Sequence, residues 1–134
     1  MTFIHGKDTY ISLGGVNLST FTDTSEVGRK SDVHDVTTYG KSAHVKQGGL
    51  LDGTVKMSGT YDNTATTGPR PAITSRLGTT VAFVRRPEGT GSGRPQDSCS
   101  VVVAGYTETN PVADMVKWSA DLEISDTVDT TAQA

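Results

Sequence analysis

Residues 114–125 read Asp114-Met115-Val116-Lys117-Trp118-Ser119-Ala120-Asp121-Leu122-Glu123-Ile124-Ser125. Val116, Trp118, Ala120, Leu122 and Ile124 fall on one side of an extended chain, and Lys117, Ser119, Asp121, Glu123 and Ser125 on the other. Period-two alternation of this length is the pattern of a strand with one face on a core and one facing water. Trp118, the single tryptophan, sits mid-strand, where its ring buries the most area. Just upstream, residues 98–107 (Ser98-Cys99-Ser100-Val101-Val102-Val103-Ala104-Gly105-Tyr106-Thr107) are β-branched and apolar enough for an inner strand. Between the two lies a turn marked by Asn110-Pro111. The pair reads as one long antiparallel hairpin with an acidic polar face.

Working outward to the N-terminus, residues 1–8 show no period and read as a flexible or docking arm. Tyr10-Ile11-Ser12-Leu13, Gly14-Gly15 and Val16-Asn17-Leu18 form a hairpin signal. A Gly-Gly loop supplies the positive φ angles of a type I′ turn, pairing Leu13 with Val16 and Ile11 with Leu18. Residues 21–30 carry one clear apolar marker, Val27, and residues 32–39 alternate better, so two separate strands are expected there. Residues 40–49 lose the pattern, and the whole stretch 40–53 reads as a long excursion between strands. Alternation returns at Leu51 and runs through Val55, Met57, Gly59 and Tyr61. Residues 69–77 are the one helix candidate, with prolines in the first turn, Ile73 and Leu77 one turn apart, and Gly78 to stop it. Another strand at residues 79–86 leads into a flexible Gly-rich tip at residues 87–95, and residues 127–134 form a polar tail. The order predicts a single mostly-β domain over residues 1–134, an antiparallel β-sandwich or partial barrel with one short α-helix.

Composition bounds the function. At 134 residues with 34% hydrophobic residues and a net charge of −3, the chain is globular, yet its large aliphatics and Phe make up only about a fifth. A thinly cored subunit of this kind is expected to gain stability from assembly. A single cysteine, Cys99, excludes an internal disulfide and reads as a small packing residue in a reducing compartment. No leader peptide or membrane-spanning run is expected.

Signals for chemistry are poor. Gly89-Thr90-Gly91-Ser92-Gly93-Arg94 looks like a phosphate loop, but Pro95 and a strand follow it where a helix is required. Asp32 and His34 share a strand face without a further ligand at metal spacing, so a solvated edge is the reading. No nucleophile–base constellation stands out. The expectation is a non-enzyme with no cofactor and no metal. Charge is uneven: Arg70, Arg76, Arg85, Arg86 and Arg94 cluster before residue 95, whereas Glu108, Asp114, Asp121, Glu123, Asp126 and Asp129 face only Lys117 later. Two solvated faces would account for this, as would a basic side of one subunit, including Arg85 and Arg86, meeting an acidic side of the next. An acidic surface is unsuited to gripping nucleic acid.

Several motifs, taken as a set, are familiar. Val16-Asn17-Leu18-Ser19, residues 32–40 (Asp-Val-His-Asp-Val-Thr-Thr-Tyr-Gly), residues 49–54 (Gly-Leu-Leu-Asp-Gly-Thr), residues 86–91 (Arg-Pro-Glu-Gly-Thr-Gly) and residues 106–115 (Tyr-Thr-Glu-Thr-Asn-Pro-Val-Ala-Asp-Met) resemble the tail tube (major tail) proteins of long-tailed, siphovirus-type bacteriophages of actinobacteria. The resemblance spans roughly Tyr10 to the C-terminus. It implies a virion subunit forming hexameric rings stacked into a hollow tube that conducts DNA during ejection. Its implied partners are further copies of itself and the tape-measure, terminator and distal tail proteins, with no specific hold on DNA and no membrane. The resemblance also implies that the stretch 40–53, with Lys41, His44, Val45, Lys46, Leu50 and Leu51, and both termini bridge adjacent rings. Asp121 and Glu123 are expected to face the lumen, where an acidic wall lets DNA slide, with the outside of the tube as the other assignment left open. Two other readings stand beside this one, a stand-alone β-sandwich binding module and the tube or completion protein of a contractile machine.

Overall fold

The computed structural model describes residues 2–134. The predicted hairpin forms as β6 (Asp97–Thr109) and β7 (Lys117–Asp129), with Trp118, Ala120 and Leu122 buried and Lys117, Ser119, Asp121 and Glu123 exposed. The remaining elements are β1 (Tyr10–Leu13), β2 (Val16–Asn17), β3 (Thr24–Asp35), β4 (Lys46–Thr60), α1 (Pro69–Thr74) and β5 (Thr80–Arg86). All seven strands belong to one antiparallel sheet of order β2-β1-β5-β6-β7-β4-β3, so the hairpin lies in its middle.

The connection from β2 to β3 shows that the sheet curls. These strands are its two edges, and on a flat sheet they would stand roughly 29 Å apart, at about 4.8 Å per strand. Thr24 is seven residues along the chain from Asn17, a reach of at most about 25 Å when fully extended, and Ser19–Phe21 are wound into a 3-10 turn. The edges are therefore drawn toward each other around a shared interior, as a partial barrel made from one continuous sheet. The crossing segment is fastened to the far strands: Trp118 Nε1 donates to Phe21 O at 3.2 Å, and Asp23 N donates to Ser58 O at 3.0 Å. Gly59 permits this, because a Cβ there would meet the Phe21 backbone.

Inside the curl, Ile11, Leu13, Leu18, Val55, Met57, Phe83, Val101, Val103, Trp118 and Leu122 pack with Ala72 and Ile73 of α1. A register shift between Val103 and Gly105 changes which β6 residues look inward. Beyond it Tyr106 stacks against Trp118 at 6.3 Å between ring centroids, and its hydroxyl donates to Glu108 Oε1 at 3.0 Å. The β1–β2 hairpin has the expected register, Leu13 opposite Val16, with φ of 58° and 85° at Gly14 and Gly15.

Four expectations need correction. Residues 21–30 and 32–39 do not hold two strands; β3 runs unbroken through Arg29-Lys30-Ser31, polar residues that signal no strand because nothing buries them. The excursion at residues 40–53 is much shorter, since Lys46, Leu50 and Leu51 lie in β4 and pair across to β3. The helix ends at Thr74, leaving Ile73 buried and Leu77 exposed, with Gly78 at φ 76° closing the turn. The polar tail is part strand, β7 extending to Asp129, and part anchored coil. In the N-terminal arm, where Met1 lies outside the described residues, Gly6–Asp8 form a 3-10 turn.

Candidate assembly surfaces

The longest strands reach beyond the barrel. β4 pairs with β7 only from Thr54 to Thr60, whereas its pairing with β3 continues from Gly53 to Lys46. Residues 29–35 and 46–53 thus make a two-stranded ribbon that projects past the body. A ribbon of two strands is marginally stable in water. One side of it bears Val33 and Leu51, and Leu50, 80% exposed, sits at the register shift opposite Asp32. The shift puts one extra residue on β4, because Ser31 faces Leu51 whereas Val33 faces Gly48. Gly49 therefore approaches His34 and Asp32, and Gly48 approaches Ser31.

The ribbon tip is held by its own polar groups. Asp35 accepts from Thr37 N at 2.9 Å and Thr37 Oγ1 at 2.5 Å, and Val45 N donates to Thr37 Oγ1 at 2.8 Å. His44 Nδ1 lies 3.0 Å from Asp35 Oδ2. The Thr37 hydroxyl and amide, with a smaller contribution from His44, hold the Asp35 carboxyl below its ordinary range. Lys41 is in the exposed turn, while Val45 accepts from Val36 N at 2.8 Å to close the loop onto the strands. Of the residues expected here, Lys46, Leu50 and Leu51 are strand residues and Lys41, His44 and Val45 are tip residues.

Asp121 and Glu123 project from the outer face of the sheet, where Lys56 stands opposite Asp121 and Thr54 opposite Glu123. Glu26 is in turn opposite Lys56. This face therefore alternates acid and base across β3, β4 and β7, milder than β7 alone suggested. Four arginines of the basic cluster have partners within the subunit. Arg85 pairs with Asp97 at 3.3 Å, and Arg86 donates from Nε to Gln96 Oε1 at 2.8 Å while lying 4.7 Å over the Tyr10 ring. Arg70 approaches Glu108 at 3.7 Å, and Arg76 donates to Ala72 O at 2.7 Å, capping α1.

One contact was not visible in the sequence. Gln133 fills a slot in the Gly-rich β5–β6 loop: Gly93 N donates to Gln133 O at 2.9 Å, and Gln133 N to Arg94 O at 3.0 Å. Its side chain accepts from Gly91 N at 3.0 Å and donates to Gly89 O at 2.9 Å. The loop that looked like a phosphate cradle thus spends its amides on the chain's own C-terminal tail. Only the glycine spacing hinted that backbone groups there would be available.

Burial, then Asp97, pushes the Cys99 thiol up, which disfavours the thiolate that nucleophilic chemistry uses. Among the described residues no three His, Cys, Asp or Glu side chains converge as for a metal, and no helix is long and apolar enough to cross a membrane.

A scan against protein-family models gives no match, and a search of curated protein sequences gives none either. Solved structures do match. A chain from the tail of an empty gene transfer agent particle, refined with C6 helical symmetry, superposes with a TM-score of 0.75 at 12% identity over 97% of this chain and 100% of its own. The SPP1 tail tube gives 0.75 at 12% identity over 96% of this chain and 80% of its own. A chain of the sheath–tube complex of an extracellular contractile injection system gives 0.67 at 11% identity, over 97% and 92%. The chain has the fold of tail tube proteins, as the resemblance implied.

Proposed function

We propose that the chain is the building block of a phage tail tube, a structural virion protein rather than an enzyme, that closes into rings and stacks into a hollow conduit for DNA. The observation that carries this reading is the unpartnered edge of β3, twelve residues long and paired on one side only, in a chain with the tail tube fold. An exposed edge of that length invites a strand from a neighbour, and ring closure removes the hazard. Hexameric rings are the natural count, since the gene transfer agent tail with this fold was refined with C6 symmetry. In the ring the outer face bearing Asp121 and Glu123 lines the channel. The ribbon, the N-terminal arm and the C-terminal tail reach toward the adjacent ring, and tape-measure, terminator and distal tail proteins meet the tube along its bore and at its ends.

Negative-stain microscopy of the concentrated, purified protein tests this. Rings or rods with a central channel are expected, and a monomer that persists at every concentration would overturn the proposal. A second reading, the inner tube of a contractile machine, is favoured by the likeness to the injection-system complex. A tape-measure gene with no sheath gene beside the coding sequence decides for the non-contractile tail.

A further inference from the structure

The chain has two different poles. At one, β7 ends and the ribbon departs; at the other, the β6–β7 turn joins strands that pair Thr109 with Lys117 and Lys117 with Thr60. The turn pole exposes Val112 completely and Met115 to 66%, with Asp114 between them. The ribbon pole has a groove of about 360 Å³ between the ribbon base and the end of β7, with Leu51, Ile124 and Val128 as its apolar lining. Arg29 and Lys30 flank it, and among the described residues neither is ion-paired. Two acids also line the groove, Asp52 and Asp126; Asp52 stands across the ladder from Lys30, whereas Arg29 stands across from Gly53 and has no acid opposite it.

From Lys117 to Ile124 along β7 is roughly 23 Å at about 3.3 Å per residue, so a subunit cannot place its own turn in its own groove. We infer that the β6–β7 turn of one copy seats in the ribbon-base groove of the next, Val112 and Met115 entering against Leu51, Ile124 and Val128, and Asp114 meeting Arg29. This rests on the tube reading and supplies its axial joint. Two unlike patches at opposite poles give a head-to-tail contact that repeats without closing on itself, which is the requirement for a tube. The flexible thioether of Met115 suits an irregular groove, and the Asp114–Arg29 pairing fixes the orientation.

The test uses the full chain and six variants. Val112→Asp with Met115→Asp should leave the melting temperature unchanged, because the turn is exposed, and reduce long tubes to single rings or short stacks. Asp114→Arg should shorten tubes, and adding Arg29→Asp should restore them. In a Cys99→Ser background, Val112→Cys with Leu51→Cys should give a ladder of disulfide-linked multimers on a non-reducing gel, absent from either single variant. Full-length tubes from the double aspartate variant, or no ladder from tubes that do assemble, would overturn the inference while leaving the tube reading intact. Failure of the unmutated protein to assemble at all would instead remove the tube reading and this inference with it.

Discussion

Gly59 holds the two edges of the sheet together by being small. A methyl at this position meets the Phe21 carbonyl, which is also the acceptor for Trp118 Nε1. Gly59→Ala is therefore expected to lower stability by about 1–3 kcal/mol as the crossing segment is pushed away, read as a lower urea midpoint with little change in slope. Tyr106 supplies a second test. Burial, reinforced by the hydrogen bond to Glu108, raises the Tyr106 phenol well above its ordinary value. The folded state then holds this proton more tightly than the unfolded one, so the contribution is fully present below about pH 10, the ordinary tyrosine value, and is lost as pH climbs above it. Urea unfolding at stepped alkaline pH should show the unmutated protein losing stability more steeply than Tyr106→Phe above that point. Equal slopes would mean the phenol is not held this way. Gly59 was legible as an inward-facing residue of an alternating strand, but the flip at the Val103–Gly105 shift that sends Tyr106 inward left no mark in the sequence.

The ribbon marks where sequence reading stops. Alternation reports burial of one face, so it found β6, β7 and the buried half of β4, whose inward residues Val55 and Met57 touch the core. It failed over residues 29–31 and 46–50 because both faces there meet solvent, and because the extra residue at Gly49–Leu50 breaks the period. The same exposure makes a dynamic prediction. Amides of residues 46–52 should exchange quickly in the free subunit, far faster than those of residues 54–60, which have β7 as a second partner. Assembly should slow them, and equal protection in both states would exclude the ribbon from the joint. The C-terminal tail behaves oppositely, since Gln133 holds the Gly-rich loop by backbone and side chain alike. Gln133→Ala should speed exchange at Gly91, whose amide loses its acceptor, more than at Gly93, which donates to the backbone.

For the whole molecule, the proposed role as a DNA conduit turns on which face of the subunit would meet DNA. The outer face of β7 offers Asp121 and Glu123 with Lys56 between strands, a lightly acidic surface of short polar side chains otherwise. DNA carries one charge per roughly 1.7 Å of axis, so a basic wall would hold it through released counterions, whereas an acidic one keeps it from adhering. Asp121→Lys with Glu123→Lys changes each subunit by +4, and in a ring that change repeats around the bore. Tubes should still assemble, because among the described residues neither carboxylate is in an ion pair. Ejection from virions carrying the double variant should be slower at about 0.15 M salt, where the screening length is about 8 Å, and should recover toward 1 M, where it falls to about 3 Å. The salt recovery separates an electrostatic brake from a misshapen tube, which added salt would not mend. Ejection at the unmutated rate from well-formed tubes would put this face on the outer wall, and the channel would then have to be lined by another surface of the barrel.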